Sequence, residues 1–274
     1  MSQAPSSRIA FIGGGNMASA IIGGLIASGL PATHITVVEP FAAAREALKH
    51  KFGIDALPAA TDALTAAELV VWAVKPQTFK DAAATAVAFT TQALHLSVAA
   101  GITTDSISQW LGSGRIVRAM PNTPALVGKG MTGLFARDEV APEGKALIER
   151  VIGTTGQFVW VKAEDHLDAV TAMSGSGPAY VFLFLEAMTQ AGVDMGLSTE
   201  QSYRLALATF QGASELAARS DESAAMLRER VTSKGGTTHA AITHMQQAEL
   251  PQHFIAALRK AEARAKELAA EFGK

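Results

Sequence analysis

Short apolar runs recur along the first 160 residues, and alanine-rich or amphipathic segments separate them. The runs predict five strands, at residues 9–12, 35–38, 69–74, 93–99 and 115–120, and one or two more at residues 131–136 and 157–161. The segments between them have helical patterns, such as the segment at residues 42–52 that Gly53 ends. Strands that alternate with helices predict an α/β fold with a parallel, doubly wound sheet.

The pattern changes near residue 163, where the β-branched runs end and helical patterns take over. We therefore predict a parallel-sheet domain at residues 1–163 and an all-helical domain at residues 164–274, with a break between helices at residues 174–177. The helix that follows, at residues 179–191, is apolar on almost all sides, which predicts burial all round. In so small a domain the expected cover is a second subunit, so the helical domain is predicted to be a dimerisation domain.

The first strand leads into a glycine turn and then into an alanine-rich helix. Gly13 lets the chain leave the strand sharply, Gly15 lets backbone N–H groups approach a pyrophosphate, and Ala18 lets the helix lie close to the strand. The helix N-terminus adds unpaired N–H groups and the positive end of its dipole. This context favours a Rossmann-type, dinucleotide-binding domain over a mere glycine-rich turn.

Glu39 ends the second predicted strand. In dinucleotide-binding domains an acid about twenty residues after the glycine turn accepts hydrogen bonds from the adenosine ribose. The same carboxylate would repel a 2′-phosphate, which favours NADH over NADPH, although Arg45 could weaken that preference. The alternative is a solvated acid at a strand end.

A second, hydroxyl-rich glycine turn occupies residues 233–238 and precedes a predicted helix at residues 239–247. Its two glycines allow an unusual backbone, and Thr237 or Thr238 is predicted to cap the helix. Such a turn can cradle an anion. An ordinary helix cap is the alternative.

Composition narrows the expected function. The formal net charge of the 274 residues is −2 and no Lys or Arg cluster occurs, so nucleic acid and an anionic membrane surface are not expected partners. The chain has no cysteine, which excludes disulfides, thiolate metal sites and a cysteine nucleophile. Its histidines show no metal-binding spacing, and residues 1–7 form a polar lead-in without signal-peptide features. We therefore expect a cytoplasmic protein without a metal.

The helical half lacks the base of an alcohol dehydrogenase. β-Hydroxyacid dehydrogenases carry Gly-x-Gly followed by Lys and, one turn on, Asn, whereas here Val181 and Leu185 occupy those places. Tyr180 is the nearby substitute, and packing explains it equally well. The missing base favours a C=N acceptor, because a protonated imine is already electrophilic and its reduction needs mainly positioning.

The chain also carries motifs in a distinctive order, at residues 11–17, 73–76, 99–101, 118–124, 174–180 and 231–238. Through them it resembles the pyrroline-5-carboxylate reductase family nearly end to end. The resemblance implies hydride transfer from NADPH or NADH to the C=N carbon of 1-pyrroline-5-carboxylate, giving L-proline in the last step of proline biosynthesis. It also implies a homodimer, or an assembly of dimers, with each site built across the interface.

The resemblance also assigns site residues. It implies cofactor binding at the pyrophosphate by Ile12, Gly13, Gly14, Gly15, Asn16 and Met17, at the ribose by Ala73, Val74, Lys75 and Pro76, and at the nicotinamide by Ala99, Ala100 and Asn122. It implies substrate binding by Ser233, Gly235, Gly236, Thr237 and Thr238, with the Thr238 hydroxyl at the ring nitrogen. Asp221 stands where some relatives have a glutamate near the substrate. The chain departs from the family pattern at Glu39, where NADPH-dependent members often have Ser, Asn or Arg, and at Lys234, where relatives often have Pro.

Two other functions stay open at this point. One is the reduction of another cyclic imine or a small keto acid by the same machinery. The other is a non-catalytic dinucleotide-binding regulator, whose mark would be loss of the hydroxyl-rich turn. That turn is present at residues 233–238, which favours the enzyme.

Overall fold

The computed structural model describes residues 7–273, so most of the predicted lead-in at residues 1–7 lies outside the described residues. Contacts divide the chain into two compact units. The first extends to Ser176 and resumes at Ala261, and the second is Gly177–Lys260. Residues 164–176 thus group with the sheet in this division, and the domain boundary at residue 163 stays a prediction.

The first unit is built on a seven-stranded sheet in the order β2-β1-β3-β4-β5-β6-β7. Its strands are β1 Ile9–Ile12, β2 Ile35–Val38, β3 Leu69–Trp72, β4 Leu94–Ser97, β5 Ile116–Met120, β6 Gly130–Ala136 and β7 Gly156–Trp160. Strands β1 to β5 pair in parallel, β6 runs antiparallel to β5, and β7 is parallel to β6. The predicted Rossmann-type sheet is confirmed. The antiparallel β6 follows from its connection, since residues 121–129 are fewer than the dozen or so that a parallel crossover needs.

Both faces of the sheet are apolar, as a sheet covered by helices on two sides requires. Alternate residues of β1 enter different cores: Phe11 packs with Val71 on one face, and Ile12 packs with Trp72 on the other. The helices of this unit are α1 Asn16–Ala27, α2 Ala42–Phe52, α3 Pro76–Ala86, α4 Thr104–Leu111, α5 Pro142–Gly153 and α6 His166–Val170. This arrangement brings the carboxyl ends of β1 to β5 to one edge, where such sheets bind ligands.

The later helices are α7 Gly177–Asp194, α8 Thr199–Ala218, α9 Ala224–Arg230, α10 Thr237–Gln247 and α11 Leu250–Phe272. The capping box of Ser198 and Gln201 begins α8. The predicted break at residues 174–177 is narrower in the structure, where only Ser176 separates two helical segments. Before it, Thr171–Gly175 forms a π-helical turn, in which the Ser176 N–H donates to the Thr171 carbonyl at 2.8 Å, and α7 begins after it at Gly177.

Helix α7 is not buried all round within one chain. Leu185 is buried, whereas Phe182 is 58% exposed and Leu183 is 62% exposed. Within the second unit α7 packs against α8, which leaves other apolar faces of the helix uncovered. The predicted cover of those faces by a second subunit stays a prediction, and their exposure in the single chain is compatible with it. Among residues 7–273, no helix is both long and apolar enough to span a membrane.

Candidate active site

The glycine turn after β1 is wedged against the two neighbouring strands. The Gly13 N–H donates to the Val38 carbonyl at 2.8 Å, and the Ala73 N–H donates to the Ile12 carbonyl at 2.8 Å. Gly13 has φ of 97°, and a Cβ atom there would lie 2.6 Å from the Ala73 carbonyl oxygen. Only glycine fits this position without strain, because of both its φ and that close approach.

Gly15 has the opposite surroundings. It is the N-cap of α1, and a Cβ atom on it would meet no atom within 4 Å. No side chain caps α1, and its first turn contains no acidic residue. The helix therefore presents N–H groups and its positive dipole end toward open space, and Asn16 and Met17 begin that first turn. These residues fit a pyrophosphate.

Glu39 is buried, with 6% of its surface exposed, so it is not the solvated acid of the alternative interpretation. Its Oε2 atom accepts a hydrogen bond from the Gly14 N–H at 2.8 Å, and its Oε1 atom accepts one from the Phe41 N–H at 2.9 Å. Nearby, the Arg45 guanidinium donates to the carbonyl oxygens of Glu39 and Pro40 at 3.0 and 2.7 Å. Each carboxylate oxygen retains a further lone pair for another donor.

The loops after β3 and β4 lie at the same edge of the sheet. Ala73 and Val74 are half-buried, and Lys75 is exposed as the N-cap of α3, with Pro76 in its first turn. Ala99 is buried, and its N–H donates to the Ser97 hydroxyl at 3.3 Å. Ala100, half-buried, follows it. Both segments thus place backbone and small side chains along the edge.

Asn122, after β5, is engaged within the protein. Its Oδ1 atom accepts from the Met131 N–H at 2.9 Å, and its Nδ2 atom donates to the Ser174 carbonyl and hydroxyl oxygens at 3.2 and 3.1 Å. Ser174 was not among the site residues predicted from the sequence. A signal was available, since the residue four positions later is Pro178, which has no N–H to bond the Ser174 carbonyl in a helix.

The second glycine turn lies in the second unit. Gly235 has φ of 76°, and the Gly236 N–H donates to the Ser233 carbonyl at 3.0 Å. The prediction that Thr237 or Thr238 caps the helix is wrong. The N-cap is Gly236, with no side-chain cap, so both threonines are in the first turn of α10. Uncapped first-turn N–H groups beside hydroxyls are suited to a carboxylate.

An acidic pair precedes α9 in the second unit. Asp221 is exposed. Glu222 is less exposed and forms an ion pair with Arg230, at 2.5 Å between Oε1 and Nη2. The Glu222 Oε2 atom is buried without a hydrogen-bond partner among the described residues. Glu222 was not among the residues predicted from the sequence, where only Asp221 was singled out.

The first unit contains a polar cluster around Arg118 and, separately, the buried His95. Arg118 bonds Glu164 at 3.0 Å, and Glu164 also accepts from the N–H and hydroxyl of Thr104 at 2.7 and 2.5 Å. Burial raises the pKa of Asp168, and Arg118 opposes that shift. Burial also lowers the pKa of His95 to about 4.

Within residues 7–273, no group of three His, Asp or Glu side chains is placed to hold a metal ion. The residues assigned to the cofactor all lie at one edge of the sheet, at the ends of β1, β2, β3, β4 and β5. The residues assigned to the substrate all lie in the second unit.

Comparison with known proteins finds a family model for each of the two parts of the chain. A family model described as "Pyrroline-5-carboxylate reductase dimerisation" matches residues 164–268, and one described as "NADP oxidoreductase coenzyme F420-dependent" matches residues 8–101. A pyrroline-5-carboxylate reductase of Pseudomonas aeruginosa is 44% identical over 268 residues, which cover 97% of this chain and 98% of that protein.

Solved structures extend the comparison. The structure of a pyrroline-5-carboxylate reductase from Coxiella burnetii has a TM-score of 0.91 and 40% identity, with 96% of this chain and 99% of that chain covered. A pyrroline carboxylate reductase of Plasmodium falciparum, solved with NADP bound, has a TM-score of 0.85 and 26% identity, with 96% and 98% covered. By its near-full-length similarity, the chain belongs to the pyrroline-5-carboxylate reductase family.

Proposed function

We propose that this protein reduces 1-pyrroline-5-carboxylate to L-proline with NADH or NADPH, the last step of proline biosynthesis. The observation that carries the proposal is a pair of uncapped helix N-termini, each entered through a glycine turn. One begins α1 at Gly15 and the other begins α10 at Gly236. The reaction brings together two anions, a dinucleotide pyrophosphate and a substrate carboxylate, and each helix N-terminus suits one of them.

The chemistry asks for positioning more than for acid–base catalysis. A nicotinamide held at the edge of the sheet would supply a hydride to the C=N carbon of the protonated imine, whose π electrons would become the lone pair of the amine, so that no further proton would be needed. The N–H groups of α10 and the Ser233 hydroxyl hold the substrate carboxylate in this proposal. The Thr238 hydroxyl, in the first turn of the same helix, is assigned in this proposal to the ring nitrogen, which it orients. Such orientation converts a bimolecular step into an effectively unimolecular one.

The proposal includes a preference for NADH, which rests on Glu39. Its carboxylate is tied to Gly14 in the glycine turn, so negative charge is fixed beside the place expected for the adenosine ribose. A 2′-phosphate there meets like charge in a partly desolvated setting, whereas ribose hydroxyls meet an acceptor. Arg45 lies at the same loop and lowers, but does not abolish, the discrimination against NADPH.

The proposal also includes a homodimer with each site built across the interface. Its support is the uncovered apolar surface of α7, where Phe182 and Leu183 are mostly exposed, together with the match to a dimerisation family. Exposed apolar surface of this kind is typical of an obligate interface.

The direct test is steady-state oxidation of NADH and NADPH with 1-pyrroline-5-carboxylate, with L-proline identified as the product. The six-membered ring homologue is the competing substrate. A higher kcat/KM for the six-membered ring would assign a different substrate. No turnover of either ring by folded protein that binds NADH would favour a regulatory dinucleotide-binding protein.

A further inference from the structure

Asn122 and Ser174 form the centre of a clamp that joins three segments of the first unit. The side-chain amide of Asn122 uses its oxygen on the Met131 N–H and its nitrogen on two oxygen atoms of Ser174. The Ser174 hydroxyl in turn donates to the Met131 carbonyl at 3.3 Å. The loop after β5, the start of β6 and the π-helical turn Thr171–Gly175 are thereby tied together.

Ser174, which Asn122 bonds, lies within the π-helical turn Thr171–Gly175. In a regular helix the Ser174 carbonyl would bond the N–H four residues later, but that residue is Pro178 and has no N–H. The proline leaves this carbonyl without a donor at that position, and the Asn122 Nδ2 atom donates to it at 3.2 Å. Single π-helical turns inside helices occur frequently at functional sites.

The turn also lies directly against the last residue of β5. A Cβ atom on Gly175 would be 2.5 Å from the Cε atom of Met120, so the absence of a side chain permits this approach. Met120 and Asn122 flank Pro121 at the carboxyl end of β5. The clamp therefore fixes the position of the whole edge segment at residues 120–122.

This edge segment lies on the nicotinamide side of the sheet. A dinucleotide held by the turn after β1 has its adenosine toward β2, where Glu39 lies, and its other half toward β3, β4 and β5. The Asn122 side-chain amide makes three hydrogen bonds within the clamp. Its main contribution is therefore to hold the loop rather than to bind the nicotinamide.

We infer that Ser174 is a positioning residue for the nicotinamide half of the cofactor, acting through Asn122 on the edge segment at residues 120–122. The inference rests on the proposed use of a nicotinamide cofactor. It does not require a particular imine as the substrate.

The test compares the binding of two ligands to the full chain. NADH contains the nicotinamide half, and ADP-ribose lacks it. Ser174→Ala removes the hydroxyl that accepts from Asn122 and donates to Met131, and we expect the Kd for NADH to rise about five- to tenfold, the cost of roughly one hydrogen bond. The Kd for ADP-ribose should stay within about twofold of the wild-type value.

The matched control is Thr171→Val. It removes a hydroxyl from the same turn, one that donates to the Leu167 carbonyl of its own helix at 2.7 Å, and both Kd values should stay at wild-type level. Asn122→Ala should weaken NADH binding as Ser174→Ala does. The Kd for NADH of the double variant should not exceed the higher of the two single-variant values, because the two side chains act as one unit.

Three results would overturn the inference. They are unchanged NADH binding in Ser174→Ala, equal weakening of NADH and ADP-ribose, which would indicate general damage to the fold, and an effect of Thr171→Val as large as that of Ser174→Ala. Failure of the proposed function has a different signature. The wild-type protein would then bind NADH with the Ser174-dependent difference but would not reduce 1-pyrroline-5-carboxylate.

Discussion

The carboxylate of Glu39 accepts a hydrogen bond from the backbone N–H of Gly14 at 2.8 Å, which links the end of β2 to the glycine turn after β1. One N–H of the turn is thereby committed to the protein, while Gly15 and the first turn of α1 remain open. Glu39 thus has two separable roles: it orders the turn through hydrogen bonding, and it places negative charge beside the ribose position.

Replacing the carboxylate should separate these two roles. Glu39→Gln keeps an acceptor oxygen for one of the two backbone donors but removes the charge, whereas Glu39→Ser removes both. We expect either variant to raise the ratio of kcat/KM for NADPH to that for NADH by about tenfold, the scale of 1–1.5 kcal/mol of like-charge repulsion. Glu39→Ser alone should also weaken both cofactors, because Gly14 loses its partner. An unchanged ratio would show that the charge does not face the 2′ position.

Gly13 and Gly15 should respond to alanine in opposite ways. In Gly15→Ala the new methyl group contacts no protein atom, so the unfolding temperature should stay near the wild-type value. The Kd for NADH should rise at least about tenfold, because the methyl group enters the space expected for the pyrophosphate. In Gly13→Ala the methyl approaches the Ala73 carbonyl at a positive φ, and the free energy of unfolding should fall by about 2 kcal/mol or more. Calorimetry and NADH titration on both variants check the contrast. Full NADH affinity in Gly15→Ala would remove that turn from the cofactor site.

Thr238 should matter for turnover and not for folding. It lies in the first turn of α10 without serving as its cap, so Thr238→Ala should unfold normally. Its kcat/KM for 1-pyrroline-5-carboxylate should fall by the factor that corresponds to a loss of about 1–3 kcal/mol of transition-state stabilisation, the value of a hydrogen bond to a reacting group. Thr238→Ser keeps the hydroxyl and should recover most of the activity. Wild-type kinetics in Thr238→Ala would exclude the hydroxyl from the reaction.

Mixing two impaired variants tests whether each site uses both subunits. Gly15→Trp blocks the first glycine turn, and Thr238→Ala impairs the second unit. If sites form across the interface, a mixed dimer contains one site with both changes and one unaltered site. Co-expression in equal amounts should then restore on the order of a quarter of the wild-type activity, because half of the dimers are mixed. Confirmed mixed dimers without recovered activity would place each site within one chain.

His95 should make stability depend on pH. It is buried in β4, its Nδ1 atom accepts from the Trp72 Nε1–H at 3.2 Å, and its pKa is lowered from 6.5 to about 4, mainly by burial and also by Arg115. As the pH falls below 6.5 the unfolded chain binds a proton before the folded protein does. His95 therefore removes stability progressively between pH 6.5 and 4, by about 3 kcal/mol in all.

His95→Gln keeps an acceptor for Trp72 but cannot titrate. Denaturant unfolding of both proteins between pH 7.5 and 4 isolates this residue, because other titrating groups cancel in the difference. As the pH is lowered over that range, the free energy of unfolding of the wild type should fall relative to that of the variant. A constant gap would mean that His95 is protonated equally in both states.

The sequence by itself determined the strands, most helices and the two glycine turns, because each rests on local chemistry. Apolar runs of strand length, Gly53 after α2, Pro76 at the start of α3 and the Ser198 capping box all act within a few residues of themselves. The cap of α10, which is Gly236, was mispredicted, and the π-helical turn at residues 171–175 was not predicted. At both places the backbone adopts an arrangement that the local sequence pattern does not encode.

Only the tertiary structure decided which groups are still free to bind a ligand. From the sequence, Glu39 and Asn122 are polar side chains at strand ends. In the fold Glu39 is hydrogen-bonded to Gly14, and Asn122 is hydrogen-bonded to Met131 and Ser174. Gly14 is 25 positions from Glu39 along the chain, and Ser174 is 52 positions from Asn122. The physical reason is that a hydrogen bond requires its donor and acceptor within about 3 Å in a suitable direction, and the packing of the sheet edge sets that geometry.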